Sequence, residues 1–305
     1  MILINEPLSF PEKSIKELKK IGKVYKLYNK FKKNNIKIIF IRLNEYIDAN
    51  FLDNFPNLLY IVSPTTGLTH LDLLEIKKRK IILISLKGRK IFLKNVFATS
   101  EYSIALALAM LRKIPLATKS VEKNKWDRYP FKGSEINDRV VLIIGFGRIG
   151  KQVFKLYKSF GAKVIAYDSK PKQVPKKIKT PLKKGIRSAD IISIHIPYND
   201  DNYKFFNKEL ISLVKSSAVL INTSRGEVID QNVLINFLLD KKIAGAALDV
   251  LENEPNPLNK KIKKAIRVLK NKLIITPHIA GYTKESLTKV ETYLTKVFIK
   301  KIKNI

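Results

Sequence analysis

The stretch 139–150, RVVLIIGFGRIG, most narrows what this chain can fold into. The run VVLII has the length and β-branched composition of a strand buried on both faces of a parallel sheet. It leads straight into Gly145-Phe146-Gly147-Arg148-Ile149-Gly150, and a segment of helical period continues through Phe160. In this context the three glycines do different things. Gly145 permits the tight turn, Gly147 lets a pyrophosphate approach the backbone, and Gly150 lets helix and strand pack closely. The phosphates then sit at a helix N-terminus, where Arg148 and Ile149 offer backbone amides. Such a fold also needs an acidic residue about 20 positions onward, closing the next strand, to bind a ribose hydroxyl. Asp168 stands there, directly after KVIAY. Its carboxylate accepts from a 2′-OH and repels a 2′-phosphate, so the expected cofactor is NAD rather than NADP, with Lys170 as the one opposing charge.

The same alternation of apolar runs and helical periods fills most of the 305 residues, a length that allows two domains. Runs at 37–42, 58–63 and 80–85 read as strands of a first sheet, with helices at 14–22 and 69–78 between them. A second series at 139–144, 163–167, 191–195, 218–222, 245–249 and 273–276 supplies six strands for a doubly wound sheet. A helix at 100–113 and a polar connection at 126–137 separate the two series, and a last helix spans 284–303. The expected fold class is α/β in two domains, each a parallel sheet flanked by helices. Residues 1–99 with 282–305 form one domain, and residues 100–281 form the dinucleotide-binding domain.

Composition removes other classes. With no cysteine there is no disulfide framework, thiolate nucleophile or Cys-based metal site, and three separated histidines give no ligand spacing, so no metal is expected. The opening residues carry Glu6 and Pro7 where a signal peptide needs a basic start and an apolar run. The apolar run at 104–111, IALALAML, is far short of the ~20 residues that cross a bilayer, so no membrane association and a cytoplasmic location are expected. The formal charge of +33 raises the question of nucleic acid as a partner. The lysines are scattered, however, and their excess over arginine goes with abundant Ile, Asn, Phe and Tyr, a compositional bias rather than a polyanion site. The field still steers small anions.

Three further turns follow strands of the second series, on the edge where open α/β sheets bind ligands. They are Asn222-Thr223-Ser224-Arg225-Gly226, Asp249-Val250-Leu251-Glu252-Asn253-Glu254-Pro255 and Thr276-Pro277-His278-Ile279-Ala280-Gly281. Each delivers one ionisable side chain: Arg225, Glu254 and His278. Together with the Gly-rich turn these segments resemble the D-isomer-specific, NAD-dependent 2-hydroxyacid dehydrogenase family over nearly the whole chain, most clearly from Arg139 to Tyr282.

The resemblance implies a Rossmann-type dinucleotide domain inserted into a flavodoxin-like substrate domain. It also implies hydride transfer between NAD(H) and C2 of a 2-oxo or D-2-hydroxy acid, and a homodimer, for which the 104–111 helix is a candidate interface. A planar guanidinium makes paired hydrogen bonds to a carboxylate, so Arg225 is the expected substrate anchor. His278 is the expected proton donor and acceptor, tuned by Glu254. By resemblance Asp249, Thr223, Ser224, Gly281 and His278 itself lie on the cofactor side, as do His195 and Pro197 after the 191–195 strand. Thr66 and Gly67, in SPTTGLTH, match the turn whose amides grip the substrate carboxylate, and His70 nearby reads as structural. Two departures from the family pattern fall near that turn: Thr65 where relatives often have glycine, and a longer 85–101 stretch. The alternative reading is a dinucleotide-sensing regulatory or nucleic-acid-associated protein on the same fold without turnover.

Overall fold

The computed structural model describes residues 1–27, 31–256 and 258–303. The chain forms two compact units, Met1–Val96 with Tyr282–Ile305 and Phe97–Gly281.

The first unit holds five strands, β1 (Ile2–Ile4), β2 (Val24–Lys26), β3 (Ile38–Phe40), β4 (Tyr60–Ser63) and β5 (Ile82–Ser85). All pair in parallel, in the order β2-β1-β3-β4-β5. Because successive strand side chains face opposite ways, Leu3, Ile39 and Ile61 pack with Leu52 and Ile76 on one face. Ile2, Ile4, Phe40 and Val62 pack with Leu18, Leu294 and Phe298 on the other. Phe298 comes from the terminal helix Lys284–Lys303 and meets the Phe40 and Tyr60 rings edge-on at centroid distances of 5.7 and 5.5 Å. Three of these five strands are the apolar runs expected from the sequence. The other two, β1 and β2, were not expected: each is only three residues long, and β2, VYK, is a half-buried edge with no apolar run.

The second unit holds β6 (Val140–Ile144), β7 (Lys163–Tyr167), β8 (Ile191–Ile194), β9 (Val219–Asn222), β10 (Gly245–Leu248) and β11 (Leu273–Ile275). These are the six strands expected, in a parallel sheet of order β11-β10-β9-β8-β6-β7. A single parallel bridge between Ala166 and Lys179 extends it beyond β7. The order reverses between β6 and β8, the crevice where ligands bind in such sheets. The helix Ala98–Leu111 buries Ile104, Leu106, Ala107 and Met110 in the core with Val153 and Tyr157 of the helix Arg148–Ser159. These residues serve the interior of the unit, while Ala105 on the same helix is exposed and Leu108, Ala109 and Leu111 are half-buried.

One charged cluster lies inside the first unit. Arg42, just beyond β3, donates from Nε to Glu291 Oε1 at 2.6 Å and from Nη1 to Leu8 O at 2.8 Å. Both partners of the pair are over nine-tenths buried. Burial outweighs the arginine's attraction, and nearby Glu6 adds repulsion, so the Glu291 carboxyl is raised from the ordinary 4.5 to about 7. A carboxyl raised in the folded state binds its proton more tightly there than in the unfolded chain. Stability therefore falls as pH rises from about 4.5 to about 7 and stays lower above that. Glu291→Gln should be closest to the wild type in stability at low pH, where the carboxyl is itself neutral. It should also lose about 3 kcal/mol of the wild-type difference between pH 5 and pH 8 in urea unfolding. An unchanged difference would rule out Glu291 as the titrating group.

Candidate active site

The Gly-rich turn is shaped by contacts that leave no room for side chains. Gly145 has φ +94°, and a Cβ there would lie 2.7 Å from the His195 carbonyl. At Gly150 a Cβ would lie 2.0 Å from Gly145 O, so only glycine lets the helix start this close to β6. A Cβ at Gly147 would meet nothing within 4 Å, so the space above this helix N-cap is open. The first N–H groups of a helix have no partner within it and carry its positive end. Asp168, after β7, accepts from Phe146 N at 2.7 Å and from Lys170 N at 2.8 Å, which fixes it beside the turn. An open glycine at a helix start with a carboxylate alongside fits a dinucleotide's pyrophosphate and ribose.

His195 follows β8 and is 9% exposed. Its Nε2 lies 2.8 Å from Ser193 Oγ, its Nδ1 is buried without a hydrogen-bond partner, and burial pushes its pKa down to about 3. The ring is therefore neutral at physiological pH. Pro197 lies two residues on, and its carbonyl accepts from Asn202 Nδ2 at 2.5 Å.

After β9, Asn222 folds the next turn around its own side chain. Nδ2 donates to Arg225 O at 2.9 Å, while Oδ1 accepts from Ser224 N at 2.9 Å and Ser224 Oγ at 2.7 Å. Thr223 is pinned to Ser103 by a hydroxyl pair at 2.7 Å. The Arg225 guanidinium donates from Nη1 to Ser224 O at 2.6 Å and makes no other hydrogen bond among the described residues. Burial weakens its hold on its proton, and the charges of Glu254 and Glu227 act the other way. Gly226 explains this proximity: a Cβ there would lie 2.0 Å from Leu251 C and 2.2 Å from Glu252 N, backbone against backbone.

That close approach brings the Arg225 turn onto the 249–255 turn. Glu254 accepts from Leu251 N at 3.3 Å through Oε2, and its Oε1 is hydrogen-bonded to His278 Nδ1. The His278 side chain is 21% exposed, so it is held on one nitrogen and open on the other side. Asp249 is buried, and its carboxylate accepts from Thr276 Oγ1, Ile279 N and Ala280 N at 2.7, 2.9 and 2.8 Å. Gly281 ends the same turn, and a Cβ there would approach Thr99 Oγ1 no closer than 3.9 Å.

Arg225, Glu254 and His278 thus belong to one unit and one sheet edge, beside Thr223, Ser224 and Asp249, and the Gly-rich turn and Asp168 belong to the same unit. Thr66 and Gly67 belong to the first unit, in the turn after β4, with Thr66 exposed. His70, in that unit, is buried with Nε2 3.4 Å from Ser63 Oγ. Three residues that build the site were not singled out from the sequence: Asn222, Gly226 and Thr276. The first two carried a readable signal, since Asn at a strand exit makes side-chain turns and Gly permits close backbone approach.

The Gly-rich crevice and the polar group beside it define a dinucleotide-dependent oxidoreductase of the α/β class. Residues 104–280 match the family described as D-isomer specific 2-hydroxyacid dehydrogenase, NAD binding domain. The chain is 34% identical to a glyoxylate reductase of Thermofilum pendens over 253 residues, 80% of this chain and 72% of the relative. It is 30% identical to a D-3-phosphoglycerate dehydrogenase of Archaeoglobus fulgidus over 88% of this chain, which spans about half of that protein. The fold superposes on a D-lactate dehydrogenase of Aquifex aeolicus, solved with NAD and lactic acid, with a TM-score of 0.81 and 26% identity. That match covers 100% of this chain and 96% of the other. The protein belongs to the D-isomer specific 2-hydroxyacid dehydrogenase family, as an NAD-dependent oxidoreductase acting on small molecules.

Among the described residues no helix is long and apolar enough to cross a membrane. Gly226→Ala should force the two turns apart, costing about 1–3 kcal/mol in urea unfolding and lowering kcat/KM with it. Unchanged stability and rate would mean that the turns do not depend on this approach.

Proposed function

We propose that the chain reduces a small 2-oxo acid to the D-2-hydroxy acid, and oxidises it in the reverse direction, with His278 as the proton donor and acceptor. The convergence of Arg225, Glu254 and His278 at one sheet edge carries this reading. NADH, when bound, supplies the hydride for C2. Arg225 anchors the substrate carboxylate: its guanidinium is desolvated and has donors to spare, and a paired carboxylate offsets both costs. Glu254 holds His278 Nδ1, which fixes the ring orientation and leaves Nε2 to face the substrate oxygen. From Nε2 a proton passes to that oxygen as charge develops on it, and returns there in the oxidation. Thr66 and Gly67 are the proposed grips on the carboxylate from the first unit, and residues 1–99 with 282–305 the proposed substrate domain.

Around the cofactor the proposed contacts are Gly145, Gly147, Arg148, Ile149, Gly150, Asp168, His195, Pro197, Thr223, Ser224, Asp249, His278 and Gly281. The carboxylate of Asp168 favours the unphosphorylated ribose, so kcat/KM should be higher with NADH than with NADPH. The proposed location is the cytoplasm, checked by cell fractionation.

We also propose a homodimer. Beside the partly exposed 104–111 helix, support comes from exposed apolar side chains on the second unit: Trp126 at 92% exposure, Tyr129 at 81%, and Ile114 and Val121 at about half. Sedimentation should give twice the 35.0 kDa chain mass, reduced to one chain by Trp126→Ser. A wild-type monomer would refute this.

The main test follows NADH absorbance with glyoxylate, pyruvate, hydroxypyruvate and phosphorylated 2-oxo acids. His278→Gln should lower kcat by about 10²–10⁴-fold while NADH binding is kept. Turnover that survives the substitution nearly intact would remove His278 as the acid.

A further inference from the structure

We infer that Thr276 is a positioning residue for this chemistry, aiming His278 by locking the Asp249 carboxylate that holds the two backbone N–H groups immediately after it. The inference rests on the reading that His278 carries the proton. His278 is a non-glycine residue with φ +53°, in the left-handed region that costs a residue with a side chain. Something must hold it there. Its own N–H donates to Asp249 O at 2.8 Å, and the next two N–H groups, of Ile279 and Ala280, donate to the two carboxylate oxygens of Asp249. The imidazole is held separately, by Glu254. Backbone and side chain of His278 are thus gripped from two points five residues apart in the same turn after β10.

Within this clamp Thr276 has a distinct role. Asp249 is 1% exposed, so an unmet oxygen there cannot turn to water. Oδ2 receives Ala280 N, while Oδ1 receives both Ile279 N and the Thr276 hydroxyl at 2.7 Å, the shortest of the three bonds. Burial raises the proton affinity of Asp249, and these three donors oppose it. The Tyr102 phenol, on the helix Ala98–Leu111, is held above its ordinary pKa chiefly by burial, with the Thr276 hydroxyl and the Asp249 charge also acting on it. Removing the hydroxyl leaves each oxygen with a single backbone donor and takes away the shortest of the three bonds that hold the carboxylate. The left-handed turn then loosens where it carries the imidazole. A displacement of about 1 Å at a reacting group costs on the order of 10²-fold in rate.

The test uses the full chain with glyoxylate and pyruvate as substrates and compares Thr276→Val, Thr276→Ser and His278→Gln. Thr276→Val should lower kcat by about 10- to 100-fold with the NADH Kd within about twofold, and Thr276→Ser should restore kcat. If Thr276→Val does not fold, Thr276→Ala removes the same donor with less crowding and is read in the same way. A variant with a lowered urea midpoint but wild-type kcat would make Thr276 structural only and overturn the inference. So would a Thr276→Ser enzyme as impaired as Thr276→Val. Failure of the underlying reading is distinct, because it would show as retained turnover in His278→Gln.

Discussion

Parallel pairing of six strands is the constraint from which the site follows. In a parallel sheet every strand leaves at the same edge, so residues 145, 168, 195, 223, 249 and 276 exit together although they span more than 130 positions of sequence. An antiparallel arrangement of the same strands would send half of these exits to the far edge and separate Glu254, after β10, from Arg225 and His278. Neighbouring strands lie about 5 Å apart. The turns after β9, β10 and β11 are therefore within side-chain reach before any local interaction is considered. Local contacts then turn neighbourhood into geometry: Gly226 lets two turns touch, and Asp249 ties the third to the second.

The parts of this design that were legible in the sequence are those with a strong local signature. A five-residue apolar strand followed by GxGxxG and, later, an acidic residue reads reliably because each glycine answers a steric demand that the structure displays, at 2.7 Å for Gly145 and 2.0 Å for Gly150. The six strands of the second sheet were legible for the same reason: buried on both faces, they are almost purely apolar. In the first unit β2 and β1 were not legible, because β2, VYK, is half-buried with no apolar run and the run of β1 stops after three residues at Asn5-Glu6-Pro7. Their assignment comes from the pairing of β1 with β3 on one side and β2 on the other, interactions between segments far apart in sequence. The 104–111 helix shows the opposite limit. Its apolarity was plain, but hydrophobicity alone does not say whether the covering surface belongs to the same chain or another.

The supporting network was less legible still. Thr276 and Tyr102 are ordinary polar residues whose importance depends on what they meet across the edge. Sequence spacing offers no hint that Thr276 bonds to a residue 27 positions earlier. The residues that touch substrate are chosen by chemistry, and so announce themselves by type. The residues that hold them are chosen by distance, and any short donor of the right reach would serve.

Charge is distributed in a way that suits the reaction. The chain carries 59 lysines and arginines against 26 acidic residues, yet Glu227, Asp249, Glu252 and Glu254 all gather around the Arg225 and His278 turns. The general field draws anions toward the protein over distances of about a Debye length. At the site itself the carboxylates make the landscape selective: Glu254 and Asp249 are committed by hydrogen bonds to His278 and its backbone, whereas the Arg225 guanidinium retains donors. Under the proposed roles, an incoming carboxylate meets repulsion except where the desolvated Arg225 cation faces it. A site surrounded by uncommitted lysines would bind the same anion in many poses, and hydride transfer depends on one.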